Sequence, residues 1–167
     1  MSFRLRDRVA SGDAEALRAI AAACGNFDPH ELDYVPEILA ELAAKGEQAS
    51  GYRLLIAEDD AGPAGFTLYG PMDEDDSQFD LYWIATDPRA RNRGAGRLLL
   101  GETERRAVAE GATDMFIETE GGPAYAAAHR LYAGSGFRPV ETTPDHYGPG
   151  RNRIIFTKAF AAGHAAA

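Results

Sequence analysis

Cysteine is nearly absent from this chain: Cys24 is the single one in 167 residues. One thiol closes no disulfide within the chain and leaves the paired-cysteine redox and zinc motifs without partners, so Cys24 reads as a buried structural thiol. Positive charge is scarce as well, with 17 Lys and Arg against 26 Asp and Glu and a net charge of -9. Nucleic acid and anionic membrane surfaces both call for a basic face, so neither is expected as a partner. The acidic balance favours solubility and would suit a cationic substrate. No apolar run reaches the length that crosses a bilayer, and the opening MSFRLRDRVASGD has no apolar signal core. A cytoplasmic protein is the expectation. Neither Lys45 nor Lys158 precedes a Ser or Thr, and Leu99 stands where a dinucleotide-binding G-x-G-x-x-G needs its last glycine. Both patterns are set aside. The acidic run from Pro71 to Asp76 lacks the glycine and closing glutamate of a calcium loop, so it reads as a solvated loop and no metal is expected.

What is present is enough for one α/β domain. With 45% apolar residues, a chain of this length builds a sizeable core. The expected domain covers residues 1–160, and the tail 161–167 is expected to fray. Alternation of Phe3 and Leu5 with Arg4 and Arg6 predicts a strand over residues 3–7. Ser11-Gly12-Asp13 is expected to cap a helix with Leu17, Ile20 and Ala21 on its buried stripe and Gly25 at its end. A helical region follows over 28–42, carried by Leu32, Val35, Ile38, Leu39 and Leu42, with Pro36 as a candidate break. His30, Glu31, Asp33 and Tyr34 read as its exposed capping turn. Residues 52–58 and 64–69 predict a hairpin around Asp59-Asp60-Ala61-Gly62-Pro63. A strand over 114–119 is expected to be buried and parallel. A helix with Ala124, Ala127, Ala128 and Leu131 on its stripe ends at residues 134–136, and two last strands cover 137–142 and 151–158. Strand, helix, strand, helix in this order implies a right-handed crossover and a mainly parallel centre.

The centre of the chain is residues 81–112. LYWIATDP predicts a strand that ends at Thr86 before Asp87-Pro88, and Leu99, Leu100, Thr103 and Ala107 predict a helix from about Ala95. Between them, Gly94 and Gly96 carry no side chain, and the helix start adds unpaired N–H donors at the positive end of its dipole. Arg89, Arg91, Arg93 and Arg97 crowd into the same segment, so the ligand expected here is an anion, and phosphate above all.

The segment IATDPRARNRGAGRLLL resembles the acetyl-CoA-binding signature of the GNAT superfamily of N-acetyltransferases, carried here by Arg91, Gly94 and Gly96. Further on, AHRLYAGSGF over 128–137 is similar to that family's second signature, A-x-x-L-Y-x-x-x-G-F. The resemblance implies a GNAT-like α/β fold, with a mixed central sheet of about seven strands, a splayed parallel centre and about four flanking helices. It implies acetyl-CoA as co-substrate, with backbone groups of Ile84, Ala85 and Thr86 pairing with the pantetheine arm. Arg91, Asn92, Arg93, Gly94, Ala95, Gly96 and Arg97 would hold the pyrophosphate. The reaction implied is direct attack of a primary amine on the thioester. A small-molecule amine is the leading acceptor; a protein N-terminus or lysine, or a binding-only role, is the alternative. Exposed final strands leave room for a homodimer.

Tyr132 matches the family tyrosine, and a phenol of pKa about 10 placed beside a thiolate of about 8.5 serves as general acid. The amine, an ammonium with a pKa of about 10.4, needs a base. Glu118 is the first candidate, on the premise that its strand is buried and burial raises its pKa; Asp80, Glu120 and water-mediated removal remain open. His146 and Tyr147 lie where relatives fold a flap over the acceptor, so both are candidate substrate contacts with Glu120 and Tyr82. Tyr82 and Trp83, on opposite faces of one strand, read first as core aromatics.

Overall fold

The computed structural model describes residues 2–161; residues 162–167, which hold nearly all of the expected tail, lie outside the described residues. Along them run β1 (Arg4–Arg6), α1 (Asp13–Cys24), α2 (Tyr34–Ser50), β2 (Arg53–Asp59), β3 (Gly62–Pro71), β4 (Gln78–Thr86), α3 (Ala95–Ala109), β5 (Asp114–Glu120), α4 (Ala126–Gly134), β6 (Arg138–Thr143) and β7 (Arg153–Ala159). Hydrogen bonding orders the strands β1-β2-β3-β4-β5-β7-β6 in a mixed seven-stranded sheet. The chain divides into two compact units, one of residues 2–70 with 83–103 and one of 71–82 with 104–161, and β4 contributes to both. Among the described residues no helix is long and apolar enough to cross a membrane.

In the first unit, β1 and β3 flank β2 in antiparallel register, with Leu5 opposite Ala57 and Ile56 opposite Phe66. Side chains alternate across a strand, so Leu54 and Ile56 meet Leu17, Ile20, Val35 and Leu39 of α1 and α2, together with Phe66, Leu68, Trp83 and Ala85. The odd positions Leu55 and Ala57 meet Leu99 of α3 on the other face, with Phe3 and Leu5 at the margin. Each large aliphatic side chain so buried contributes roughly 1.5–3 kcal/mol. Within this packing the Thr67 and Thr103 hydroxyls share a 2.8 Å hydrogen bond.

Two helix expectations are corrected here. No side chain caps α1: its N-cap is Gly12 at φ 87°, and the neighbouring Asp13 is buried, accepting from Arg6 at 2.7 and 3.0 Å and from the Ala10 N–H at 2.7 Å. Pro36 breaks nothing, because it sits in the first turn of α2, where a missing N–H removes no intrahelical bond. The helix runs on past Leu42, kinks at Gly46 (φ 80°, ψ 174°) and ends at Gly51. The turn before it is a 3-10 helix, Glu31–Asp33, in which Glu31 accepts from the Asp28 N–H at 2.7 Å.

In the second unit, β5 is parallel to β4 over Gln78↔Asp114 to Asp80↔Phe116, and antiparallel to β7 along its whole length. The expectation of a parallel strand therefore holds on one edge only. β6 pairs with β7 and ends the sheet. The predicted stripe of α4 is also corrected: Ala124 and Ala127 are exposed, and the buried residue of the helix is Tyr132.

Candidate active site

Within the first unit, β4 ends at Thr86 and Asp87 takes over, its side chain accepting from the Arg89 N–H at 3.0 Å to start the 3-10 turn Pro88–Ala90. The chain then doubles back through Asn92 at φ 62° and Gly94 at φ 87°. Ala90 and Ala95 are buried and fix the two ends of this turn, while Arg91, Asn92, Gly94 and Arg97 are exposed. The Leu98 N–H bonds back to the Gly94 carbonyl at 3.0 Å, so the amides of Ala95, Gly96 and Arg97 precede the intrahelical ladder, at the positive end of α3.

The four arginines divide into two pairs by their bonds within the chain. Arg89 donates to Asp59 at 2.9 Å and to the Gly62 and Pro63 carbonyls at 3.3 and 3.1 Å. Arg93 donates to the same Asp59 oxygen at 3.2 Å and lies over the Phe3 ring at 4.7 Å. The hydrogen bond from Arg89, seconded by the Ala61 N–H and by Arg93, holds the Asp59 carboxyl down at about 2 against the cost of burial. Arg91 and Arg97 are exposed, as is Arg89 despite its bonds to the hairpin. At the end of β4 the half-buried Cys24 thiol donates to the Thr86 carbonyl at 3.3 Å, and burial pushes its pKa up. Cys24 is thus half-buried rather than buried, and it occupies one of the backbone acceptors expected to pair with the pantetheine arm.

In the second unit β5 alternates: Met115, Ile117 and Thr119 are buried, while Phe116, Glu118 and Glu120 point to the other face. Glu118 is not the buried carboxylate its strand promised. Its side chain is 51% exposed; it accepts from the Tyr147 hydroxyl at 2.7 Å and stands 3.9 Å from Arg153. Glu120 is committed elsewhere, accepting from Arg151 at 3.0 and 2.9 Å. Asp80, in register with Phe116, presents its carboxyl on the Glu118 face. It is half-buried, and burial, followed by the charges of Glu118 and Glu74, raises its pKa to about 6. Tyr82, two residues along the same face, is 41% exposed and is no core aromatic, whereas Trp83 is buried against Phe27. His146 is exposed and meets Tyr147 edge-on at 4.8 Å. Burial and the hydrogen bond to Glu118 push the Tyr147 phenol up.

The opposite face of β5 belongs to α4. Tyr132 is 4% exposed, its ring 5.5 Å from Phe156 and 6.5 Å from Phe137, and burial pushes its phenol well above the ordinary range. One turn earlier, His129 shares a 3.2 Å hydrogen bond with Thr119 and lies 5.2 Å from Phe156; burial lowers its pKa and favours neutral imidazole. Sequence reasoning missed His129, although its spacing of three from Tyr132 was a usable signal. The unit therefore sets a carboxyl with a near-neutral pKa on one face of its sheet and a phenol held protonated on the other.

The family model described as Acetyltransferase (GNAT) family matches residues 15–137. No curated protein matches the chain. Among solved structures, one described as an acetyltransferase of the GNAT family from Desulfovibrio desulfuricans is 32% identical, covers 96% of this chain and 100% of its own, and superposes with a TM-score of 0.91. The ribosomal-protein-S18-alanine N-acetyltransferase of Escherichia coli shares the fold at 19% identity and TM-score 0.74, over 96% of this chain and 97% of its own. So does yncA of Salmonella typhimurium, solved with its cofactor acetyl-CoA, at 20% identity and TM-score 0.77 over 97% and 96%.

Proposed function

Because the chain belongs to the GNAT acetyltransferase family, we propose that it transfers the acetyl group of acetyl-CoA to the primary amine of a cationic small molecule, with Asp80 as base and Tyr132 as acid. The observation that carries this reading is the Asp80 carboxyl, half-buried and facing Glu118, with a pKa raised to about 6. A carboxylate with that value is mostly ionised at pH 7 and is a better proton acceptor than a solvated aspartate. Glu118 keeps its place at the site in a different role: with Glu74 it adds negative charge around Asp80, which attracts an ammonium.

The donor set fits acetyl-CoA. Amides of Ala95, Gly96 and Arg97 at the start of α3, with the exposed guanidinium groups of Arg91 and Arg97, match a diphosphate in charge and in hydrogen-bond sense. Gly94 at φ 87° keeps the turn open to an approaching anion, since nothing lies within 4 Å of where a Cβ would project. Acetyl-CoA supplies the acetyl group as an activated thioester. Asp80 takes the proton of the attacking amine. Tyr132 lends its hydroxyl proton to the departing sulfur; a phenol raised above its ordinary pKa of about 10 donates only as charge builds on a partner held at hydrogen-bond distance.

A panel of amines tests the reading: di- and polyamines, aminoglycosides, amino acids, and peptides with free N-termini or lysines, each with acetyl-CoA and thiol release as readout. Turnover confined to cationic small molecules is expected. Turnover on peptides alone would move the acceptor to a protein N-terminus or lysine, and acetyl-CoA binding without turnover on any amine would leave a binding protein.

A further inference from the structure

Asp59 closes the β2–β3 hairpin with its side chain 3% exposed. Its Oδ1 accepts from the Ala61 N–H at 2.9 Å, and its Oδ2 accepts from both Arg89 and Arg93. The two arginines are four residues apart and bracket the turn Arg91-Asn92, so one carboxylate oxygen ties both ends of that turn to the hairpin. Both guanidinium groups are engaged with the hairpin side, although 35% of the Arg89 side chain and 28% of that of Arg93 stay accessible. Arg89 spends its remaining terminal nitrogen on the Gly62 and Pro63 carbonyls, and Arg93 lies over Phe3 with its second terminal nitrogen buried and unpartnered. Between them Asn92 adopts a left-handed backbone, which asparagine tolerates better than most residues with a side chain.

We infer that Asp59, Arg89 and Arg93 form a clasp that positions the diphosphate-binding turn for its ligand without touching it. This rests on the reading that the turn binds acetyl-CoA. The division of labour follows from geometry: Arg91, Arg97 and the α3 amides meet the anion, while Arg89 and Arg93 hold the backbone that presents those amides. A hairpin more than twenty residues earlier in the chain thereby sets the affinity for the nucleotide end of the donor and leaves the chemical step alone.

The test compares acetyl-CoA with S-acetylpantetheine, which has the thioester but no diphosphate. In Asp59→Asn the KM for acetyl-CoA is expected to rise about tenfold, on the scale of lost positioning, with kcat and the KM for S-acetylpantetheine kept. Amide hydrogen exchange over residues 91–97 of the ligand-free protein should quicken. Arg93→Met, which keeps an apolar stem over Phe3, should show the same pattern with the wild-type dependence of KM on ionic strength. Arg91→Met should flatten that dependence, as loss of a direct charge contact does. If Asp59→Asn does not fold, Arg93→Met carries the test alone. An unchanged KM for acetyl-CoA, equal losses with both donors, or a flattened salt dependence in Arg93→Met overturns the clasp. Calorimetry separates the two levels: a wild type that gives no heat with acetyl-CoA removes the binding turn itself, whereas a binding wild type with an indifferent Asp59→Asn removes the clasp only.

Discussion

The Tyr147 hydroxyl donates to Glu118 at 2.7 Å, a bond between residues 29 positions apart that fastens the loop between β6 and β7 onto β5. With Arg153 also near, Glu118 has a structural occupation, and the half-buried Asp80 beside it does not share it. Glu118→Gln keeps an acceptor for Tyr147, so kcat should stay within about threefold, whereas Asp80→Asn should lower kcat by about a hundredfold, in the usual range for a lost general base. Steady-state rates with a saturating amine decide it, and the reverse ranking would return the base to Glu118.

The same pair predicts a pH signature. With Asp80 near 6, kcat/KM should rise with pH through an acid limb of apparent pKa about 6. Removing the Glu118 charge withdraws one cause of the elevation, so Glu118→Gln should move that limb to lower pH. A limb unmoved by this substitution would show that the two carboxyls are not coupled.

Stability should run opposite to activity at Asp80. The group titrates at 3.8 in its ordinary setting and at about 6 in the folded chain, so between these values the folded state binds more protons than the unfolded one. Folding stability therefore falls as pH rises from about 4 through 6, and stays reduced at pH 7. Asp80→Asn should restore on the order of 1–2 kcal/mol at pH 7, after discounting a full two-unit shift for partial exposure. Urea melts of both proteins at pH 7 and pH 4 check it: the gain should be present at pH 7 and shrink at pH 4.

The phenol has a narrower role. Tyr132→Phe keeps the ring against Phe156 and Phe137, so the fold and the KM for acetyl-CoA should be unchanged while kcat falls about 10–100-fold. Its raised pKa also means that Tyr132 adds no alkaline limb below a pH of about 10. Wild-type turnover in Tyr132→Phe would remove the acid assignment.

These residues also mark where the sequence was legible. The segment from Leu81 to Ala107 was, because its signals are local: a proline after a strand, two glycines before a helix, and Leu99, Leu100, Thr103 and Ala107 at helical spacing, all buried as expected. Glu118 was misjudged because burial was assigned to a whole strand, when Met115, Ile117 and Thr119 already implied that the even positions face elsewhere. The stripe of α4 was misplaced because alanines give little direction, and the larger His129 and Tyr132 decide which side turns inward. The bonds of Arg89 and Arg93 to Asp59 were not legible for a different reason. Their partner Asp59 lies 30 or more residues away, and no local pattern reports a contact that only the hairpin brings about.

Gly65 offers a prediction about how the end of β4 is held. A Cβ at this position would stand 2.9 Å from the Ala85 carbonyl oxygen, 3.0 Å from Leu99 Cδ1 and 3.4 Å from Thr86 Cα. The nearest of these atoms is backbone, which cannot swing aside as a side-chain tip can, so β3 approaches β4 here only because residue 65 has no side chain. Gly65→Ala should cost about 1–3 kcal/mol, the usual range for overpacking. It should also displace Ala85 and Thr86, the backbone proposed to pair with the pantetheine arm. Unlike loss of the Asp59 clasp, that displacement should raise the KM for acetyl-CoA and for S-acetylpantetheine alike, so the two substitutions separate the two ends of the donor. Chemical denaturation and the paired KM values measure both effects, and a variant of unchanged stability would mean that β4 has room to move.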